Sequence, residues 1–472
     1  MGTKEKKETK KFAYSRKNFW TEADKKDVAA AHEFSADYIN FLNNCKNVRE
    51  TINVTEETLK ANGFKEMFTN KAGKKVYSIF RNKTMAFAII GKKPVSEGVN
   101  MVAAHVDTPK IDLKQNPIYE DSASSLGMAK THYYGGIKKY QWVSTPLAIH
   151  GIVINKAGEV INITIGEDDN DPIFIIPDLL PHLARKVQST KPLAEAITAD
   201  HLNLVISSIP VADKDEKEAL KAHVLQLLNE KYGIDEEDFL SAELELVPAG
   251  KAREMGLDRS MIMGYGQDDR VCAYTGLKAL LDINAKDLER TAVVYFSDKE
   301  EVGSDGNTGA SSIFITDFIG DLLKQNGEDC GSYNLRKTLM KSKVLSADVN
   351  APINPNWPSV HEKQNAPVLG FGVTLLKYTG AGGKGGTSDA NAEFNAEVIR
   401  IFNEKKVFWQ TGTLGKVDEG GGGTIAKFLA QFGAEVIDCG PSVLGMHSLY
   451  EVTSKADVFS TYKGYKAFML KA

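Results

Sequence analysis

The sequence predicts an α/β protein: a mixed, mostly parallel sheet flanked by helices, with an inserted β-rich domain. After about Gly256, short apolar strand-like segments alternate with helical ones, the rhythm of a parallel sheet, because each parallel crossover needs a helix. Between about Lys114 and Pro248 the texture shifts to aromatic-rich strand-like segments separated by turns. Polar residues also cluster at the ends of apolar segments, where ligands gather in open α/β sheets.

Taken in order, the Lys/Glu-rich first dozen residues are expected to fray, and Asp24 to Asn43 spaces Val28, Ala31, Phe34, Tyr38 and Phe41 as one face of an amphipathic helix. Val99 to Ala104 is an unbroken apolar run of the kind a buried strand requires, with His105 and Asp107 at its end. Residues 1–113 and 249–472 are therefore read as two parts of one α/β domain, with 114–248 as the insertion. Inside the insertion, strands are expected over Leu147–Ile154 and Glu159–Ile165 around a turn at Asn155–Gly158. Ala212–Tyr232 is expected to form a helix whose charges are a solvated face. In the second part, strands are expected over Ala292–Phe296, Lys343–Ala347, Pro367–Gly372, Val407–Gln410 and Glu435–Asp438.

Composition narrows the class. Hydrophobic residues are 42% and charged residues 25% of 472, ordinary values for a soluble globular chain. A net charge of -4 offers no chain-wide attraction for nucleic acid or anionic membrane, and neither is expected as a partner. No apolar run approaches the roughly 18 residues of a membrane span. At the start, Lys6 stands where a myristoylation signal wants Ser or Thr, and no signal-peptide core follows. Cys45, Cys272, Cys330 and Cys439 form no Cys-x-x-Cys pair, which argues against a disulfide framework or a thiolate zinc site and for a reducing, cytoplasmic setting.

The chemistry-bearing clusters are His105-Val106-Asp107, Gln267-Asp268-Asp269-Arg270, Asp298-Lys299-Glu300-Glu301, Ser346-Ala347-Asp348 and Met446-His447-Ser448. Two histidines and several carboxylates without thiolates suit Zn²⁺, Mn²⁺ or Co²⁺. Two such ions, about 3.5–4 Å apart, need a shared carboxylate and separate terminal ligands, a set this chain can supply. The His-x-Asp pattern adds a carboxylate able to take the second imidazole N–H and fix its tautomer. Singly, each residue has a plainer reading: Glu300-Glu301 as surface charge or a helix start, Asp348 as a turn cap, Asp107 as a helix cap.

In this order and spacing, the segments MVAAHVDTPKIDLK, GYGQDDRVCAYTGL, YFSDKEEVGSDG, VLSADVNAPINP and GMHSLYEV resemble the successive motifs of the aspartyl aminopeptidase family, family M18. The resemblance runs from roughly Val28 to the C-terminus and implies a zinc aminopeptidase-like fold whose two catalytic-domain parts flank an oligomerisation insert. It implies that His105 and Asp348 hold one metal, Glu301 and His447 the other, and that Asp268 bridges them. Glu300 then corresponds to the general base and Asp107 to the carboxylate behind His105. The family pattern has Asn after the bridging Asp, where this chain has Asp269, and related peptidases carry a cis peptide at this junction. His182 matches a histidine that reaches a neighbouring subunit's site, although a structural role is an equal reading. The resemblance also implies a homo-oligomer, a dodecamer built from dimers, acting on peptides with a free N-terminus, often acidic.

The run Gly380-Ala381-Gly382-Gly383-Lys384-Gly385-Gly386-Thr387 lacks the Gly-Lys-Ser/Thr ending and spacing of a phosphate loop and is expected to be a mobile loop near the site, with Lys377 a candidate substrate contact. Asp418 to Thr424 is read as opening a helix whose free N–H groups could meet a peptide. Two rival functions use the same residues: a two-metal deacylase or carboxypeptidase, and a non-catalytic scaffold of peptidase fold. The presence of every proposed ligand and of the base argues against the scaffold.

Overall fold

The computed structural model describes residues 12–69, 73–213 and 215–472. Residues 1–11, most of the Lys/Glu-rich start expected to fray, lie outside this range.

A nine-stranded sheet organises the chain. Its centre is four parallel neighbours, Thr291–Ser297, Val99–His105, Lys343–Ser346 and Glu435–Gly440. Around them, Thr84–Ile89 pairs antiparallel with Thr291–Ser297, and Val373–Leu376 antiparallel with Glu435–Gly440, so the sheet is mixed. Every residue of Val99–His105 is buried, which explains why that segment reads as a continuous apolar run.

Strand side chains alternate between the two faces and feed two cores. Val102 and Ala104 join Val294 and Phe296 under helices Lys25–Asn44, Gln267–Leu281 and Lys455–Lys471. Met101 and Ala103 join Val293 and Tyr295 under Phe314–Gln325 and Ser332–Met340. Truncating a fully buried residue such as Phe296 to Ala is expected to cost about 3–5 kcal/mol.

A separate six-stranded antiparallel sheet has all its strands between Lys110 and Pro248, and its own apolar core. Its strands Leu147–Ile154 and Val160–Ile165 match the expected hairpin. Among the described residues, the charged stretch is helical over Ala219–Tyr232, ending where Gly233 takes a left-handed conformation. One expected strand is absent: Pro367–Gly372 is irregular, and the strand begins at Val373. Gly370 and Gly372 both have positive φ, and their N–H groups donate to the two carboxylate oxygens of buried Asp457, at 2.9 and 2.7 Å. That anchor satisfies the backbone without a sheet partner.

A four-stranded antiparallel sheet, which includes Met261–Gly264 and Glu451–Ser454, completes the framework beside the site.

Candidate active site

The central parallel strands end together. Ser297 is the register partner of His105, and Ser346 that of Ala103, so the residues following these strands meet at one sheet edge. His105 is the last residue of its strand. Glu300 and Glu301 follow Thr291–Ser297 in a single 3₁₀ turn, entered through Lys299 with φ 65°. Asp348 lies just beyond Lys343–Ser346. Asp268 and Asp269 stand at the kinked start of the helix Gln267–Leu281, behind Gly266 with φ 70°, and the peptide between them is cis, as the resemblance implied. His447, with φ 65°, lies in the loop that leads to Glu451–Ser454.

The two histidines converge on Asp268. Nε2 of His105 lies 3.1 Å from Asp268 Oδ1, and Nε2 of His447 lies 3.2 Å from Asp268 Oδ2. His447 Nε2 is also 3.3 Å from Glu301 Oε2. Both rings are oriented from behind: His105 Nδ1 donates to the carbonyl of Asp107 at 3.0 Å and faces its carboxylate at 3.2 Å, while His447 Nδ1 donates to the carbonyl of Gly136 at 3.0 Å. Each Nε2 is thereby left to face carboxylate oxygen, a contact that requires a proton or a cation in between.

Charge in this site is unbalanced. Asp107, Asp268, Asp269, Asp348, Glu300, Glu301 and Glu451 crowd two imidazoles. Burial, reinforced by neighbouring carboxylates, holds the Glu301 and Asp348 carboxyls well above the usual range and pushes Glu300 up to about 7. For His105, burial opposes the charge, but Asp107 and Asp268 raise its pKa well above the ordinary value. Burial likewise opposes His447, which Asp268 nevertheless pushes up to about 9. Asp268 is held low despite its burial, by the two histidines. Burial, reinforced by the Asp268 charge, holds the Asp269 carboxyl well above the usual range.

The donor set fits divalent metal. His105, Asp268 and Glu301 offer ligand atoms within 4.8 Å of one another, as do His105, Glu300 and Asp348, and Asp268, Asp269 and Asp348. Glu301 Oε1 and both oxygens of Asp269 are buried without a hydrogen-bond partner. Imidazole and carboxylate donors without thiolate match zinc and its borderline neighbours.

Of the residues singled out by sequence, His105, Asp107, Asp268, Asp348, Glu300, Glu301 and His447 are thus brought together. His182 is not: it lies exposed at the start of the helix Pro181–Val187, and among the described residues no hydrogen bond joins it to the cluster. Lys377 forms an ion pair with Asp389 at 2.7 Å, and Lys384 of the glycine-rich loop meets the same carboxylate at 2.6 Å. Sequence reasoning gave no role to Glu451, whose carboxylate accepts the backbone N–H of Asp268 at 3.0 Å and of His447 at 2.9 Å. Its only signal was its place in the GMHSLYEV segment, four residues after His447. Thr108, which donates to the Asp268 carbonyl, likewise had only its place in the MVAAHVDTPKIDLK segment, directly after Asp107.

Comparison with known proteins agrees with this chemistry. The family described as "Aminopeptidase I zinc metalloprotease (M18)" matches residues 41–469. The "Probable M18 family aminopeptidase 1" of Clostridium acetobutylicum is 48% identical over 463 residues, covering 96% of this chain and 98% of its own length. The protein of the same description from Thermotoga maritima is 47% identical over 460 residues, covering 97% and 99%. The crystal structure of an M18 family aminopeptidase from Thermotoga maritima superposes with a TM-score of 0.93 at 46% identity, over 98% of this chain and 100% of that one. The structure of aminopeptidase I from Clostridium acetobutylicum gives 0.90 at 45% identity, over 97% and 100%. No helix among the described residues is long and apolar enough to cross a membrane. The chain belongs to the M18 family of zinc metalloproteases and is an aminopeptidase, a peptide hydrolase, rather than a carboxypeptidase or an inert scaffold.

Proposed function

We propose that this aminopeptidase works with two divalent ions per chain, one held by His105 and Asp348, the other by Glu301 and His447, with Asp268 bridging and Glu300 as general base. The observation that carries this reading is the divided carboxylate of Asp268, one oxygen toward each histidine Nε2. Asp269 meets neither imidazole in this way. When bound, such ions lower the pKa of a coordinated water toward 7 and polarise the scissile carbonyl. Glu300 accepts the proton of the attacking water and passes it to the leaving amine, a transfer that typically contributes about 10²–10⁴-fold. Asp107 keeps the His105 tautomer with Nε2 free for a ligand role, and Gly136 does the same for His447. Glu451 fixes the backbones of Asp268 and His447 together. The surplus of buried carboxylates also favours a substrate that brings a free α-ammonium group.

Segment 114–248 is proposed as a separate oligomerisation domain, and His182 as a residue that completes the site of a neighbouring subunit. Leu183 and Val187 lie exposed on the same short helix as His182, and Leu180 is exposed at its N-cap, apolar surface suited to a second copy. A dodecamer built of dimers in the cytoplasm is the assembly and setting proposed; a yeast relative whose structure is described as a dodecamer shares the fold at 23% identity.

Metal analysis of the purified protein, combined with a panel of aminoacyl p-nitroanilides assayed with Zn²⁺, Co²⁺ or Mn²⁺, tests the reading. Two ions per chain and hydrolysis only of substrates with a free N-terminus are expected. One ion per chain would remove the bridging role of Asp268.

A further inference from the structure

The second Asp107 oxygen leads out of the central sheet. Oδ1 of Asp107 faces His105 Nδ1 and accepts the N–H of Glu300 at 3.0 Å. Oδ2 accepts the N–H of Glu301 at 3.1 Å and the hydroxyl of Tyr134 at 2.8 Å. One carboxylate thus sets a ligand imidazole and the backbone of the adjacent Glu pair, and Tyr134 is the donor among these that comes from the inserted sheet, at the end of strand Leu126–Tyr134.

The two residues that follow extend the same contact. Gly135, with φ 74°, lies against the acidic pair, where a Cβ would fall 3.3 Å from Glu301 Cβ. Gly136 supplies the carbonyl that accepts from His447 Nδ1, and a Cβ there would fall 3.2 Å from that nitrogen. Tyr134 itself is held in place. Its register partner on the neighbouring strand is Lys110, whose ammonium lies 5.1 Å from the centre of the Tyr134 ring and is tied to Glu245 at 2.6 Å and Asp112 at 3.0 Å.

We propose that Tyr134-Gly135-Gly136 is a positioning element through which the inserted sheet orients both metal-ligand histidines, His105 by way of Tyr134 and Asp107, and His447 by way of the Gly136 carbonyl. The inference rests on the ligand assignment above. It gives the insertion a duty inside its own chain: a change in the insert reaches the metal centre without any subunit contact. Groups that orient a ligand from behind typically change metal affinity about 10–100-fold when removed.

Competition for Zn²⁺ against a fluorescent chelator, on the full-length protein, resolves the test, with His105→Ala and His447→Ala marking which binding step belongs to each half. Tyr134→Phe, which removes only a hydroxyl, is expected to weaken the His105 step about 10–100-fold and to leave the His447 step and the thermal midpoint of the metal-free protein unchanged. Gly136→Ala is expected to weaken the His447 step selectively. Tyr133→Phe, on the exposed neighbour, should match the wild type in both. Wild-type affinities in Tyr134→Phe, or equal weakening of both steps by each variant, would overturn the inference, the second because it signals general loosening. If His105→Ala keeps both steps at full affinity, the ligand assignment itself falls and takes this inference with it.

Discussion

His150 offers a perturbation whose size can be worked from the structure. It is buried on strand Leu147–Ile154 of the insertion, with Nδ1 2.7 Å from Glu50 Oε1 and Nε2 3.0 Å from Glu167 Oε1. Glu50 belongs to the capping box of the helix Val48–Ala61, so the imidazole links the insertion to the helical layer of the larger domain. Lys46 closes the network, donating to Glu167 and to the carbonyls of Pro248 and Gly250 at 3.0 and 2.8 Å, and the Arg270 guanidinium donates to the Lys46 carbonyl at 2.9 Å. Burial pulls the His150 pKa down, but the carboxylates of Glu167 and Glu50 push it up to about 9.

A pKa raised from 6.5 in the unfolded chain to about 9 in the folded one means that the protonated form stabilises folding. That contribution is complete below pH 6.5 and is lost as the pH rises through about 9. At about 1.4 kcal/mol for each pH unit, its ceiling is about 3 kcal/mol. Equilibrium unfolding in urea at pH 6, 8 and 10, for wild type and His150→Gln, measures it, because the variant removes this titration, and the Glu167 carboxylate that His150 also shifts is held below its usual range, under these pH values. The stability gap between the two proteins should be widest at pH 6 and shrink by up to about 3 kcal/mol by pH 10. A gap that stays constant, or widens with pH, would refute the reasoning.

Three further outcomes follow from the site. Glu300→Gln should lower kcat by about 10²–10⁴-fold while both ions stay bound, whereas Glu301→Gln should weaken one metal site; steady-state rates with metal stoichiometry separate the two roles. Asp268→Ala should strip metal more completely than Asp269→Ala, since one carboxylate faces both histidines and the other faces neither, and equal retention measured by elemental analysis would contradict this. His182→Ala should lose rate but keep its metal, and subunit exchange with Glu300→Gln should restore part of the activity, measured in the mixed assembly.

Much of this was legible because the chemistry lies where strands end. An apolar run closing on His105, and similar runs closing before Glu300 and Asp348, could be read one by one, and parallel register then brings their ends to a single edge. What stayed hidden is held by tertiary arrival. Tyr134 is one of two adjacent tyrosines closing its strand until the inserted sheet delivers its hydroxyl to Asp107. Glu451 acts through backbone N–H groups, which leave no trace in residue type. The misread strand has the same cause: Pro367–Gly372 looks apolar enough to pair, but Asp457, far along the chain, captures its N–H groups. The charged run before Ala219 looked helical by composition, yet among the described residues the helix spans Ala219–Tyr232, where Leu220 and Val224 are buried.

The exposed strip on the insertion carries the remaining prediction. Leu183 and Val187 are spaced to share one side of Pro181–Val187, Leu180 caps its start, and Leu183 is 63% exposed. Isolated apolar residues on a surface are ordinary, but here Leu179, Leu180, Leu183, Val187 and Leu193 are all exposed within one short stretch of the chain, and water wets such side chains at a cost. Burying a leucine side chain contributes about 1.5–3 kcal/mol, so introducing a charge at two of these positions removes several kcal/mol from each copy of an interface they share. A Leu180→Asp, Leu183→Asp double variant should therefore run as a smaller species in light scattering at micromolar concentration. His182 lies between the two substituted positions, so dissociation also withdraws it from any neighbouring site. The variant is thus expected to keep two ions per chain and lose rate, the pattern of His182→Ala. A dissociated protein with full activity would show that catalysis needs no second subunit, and an assembly of unchanged size would show that this strip is not where copies meet.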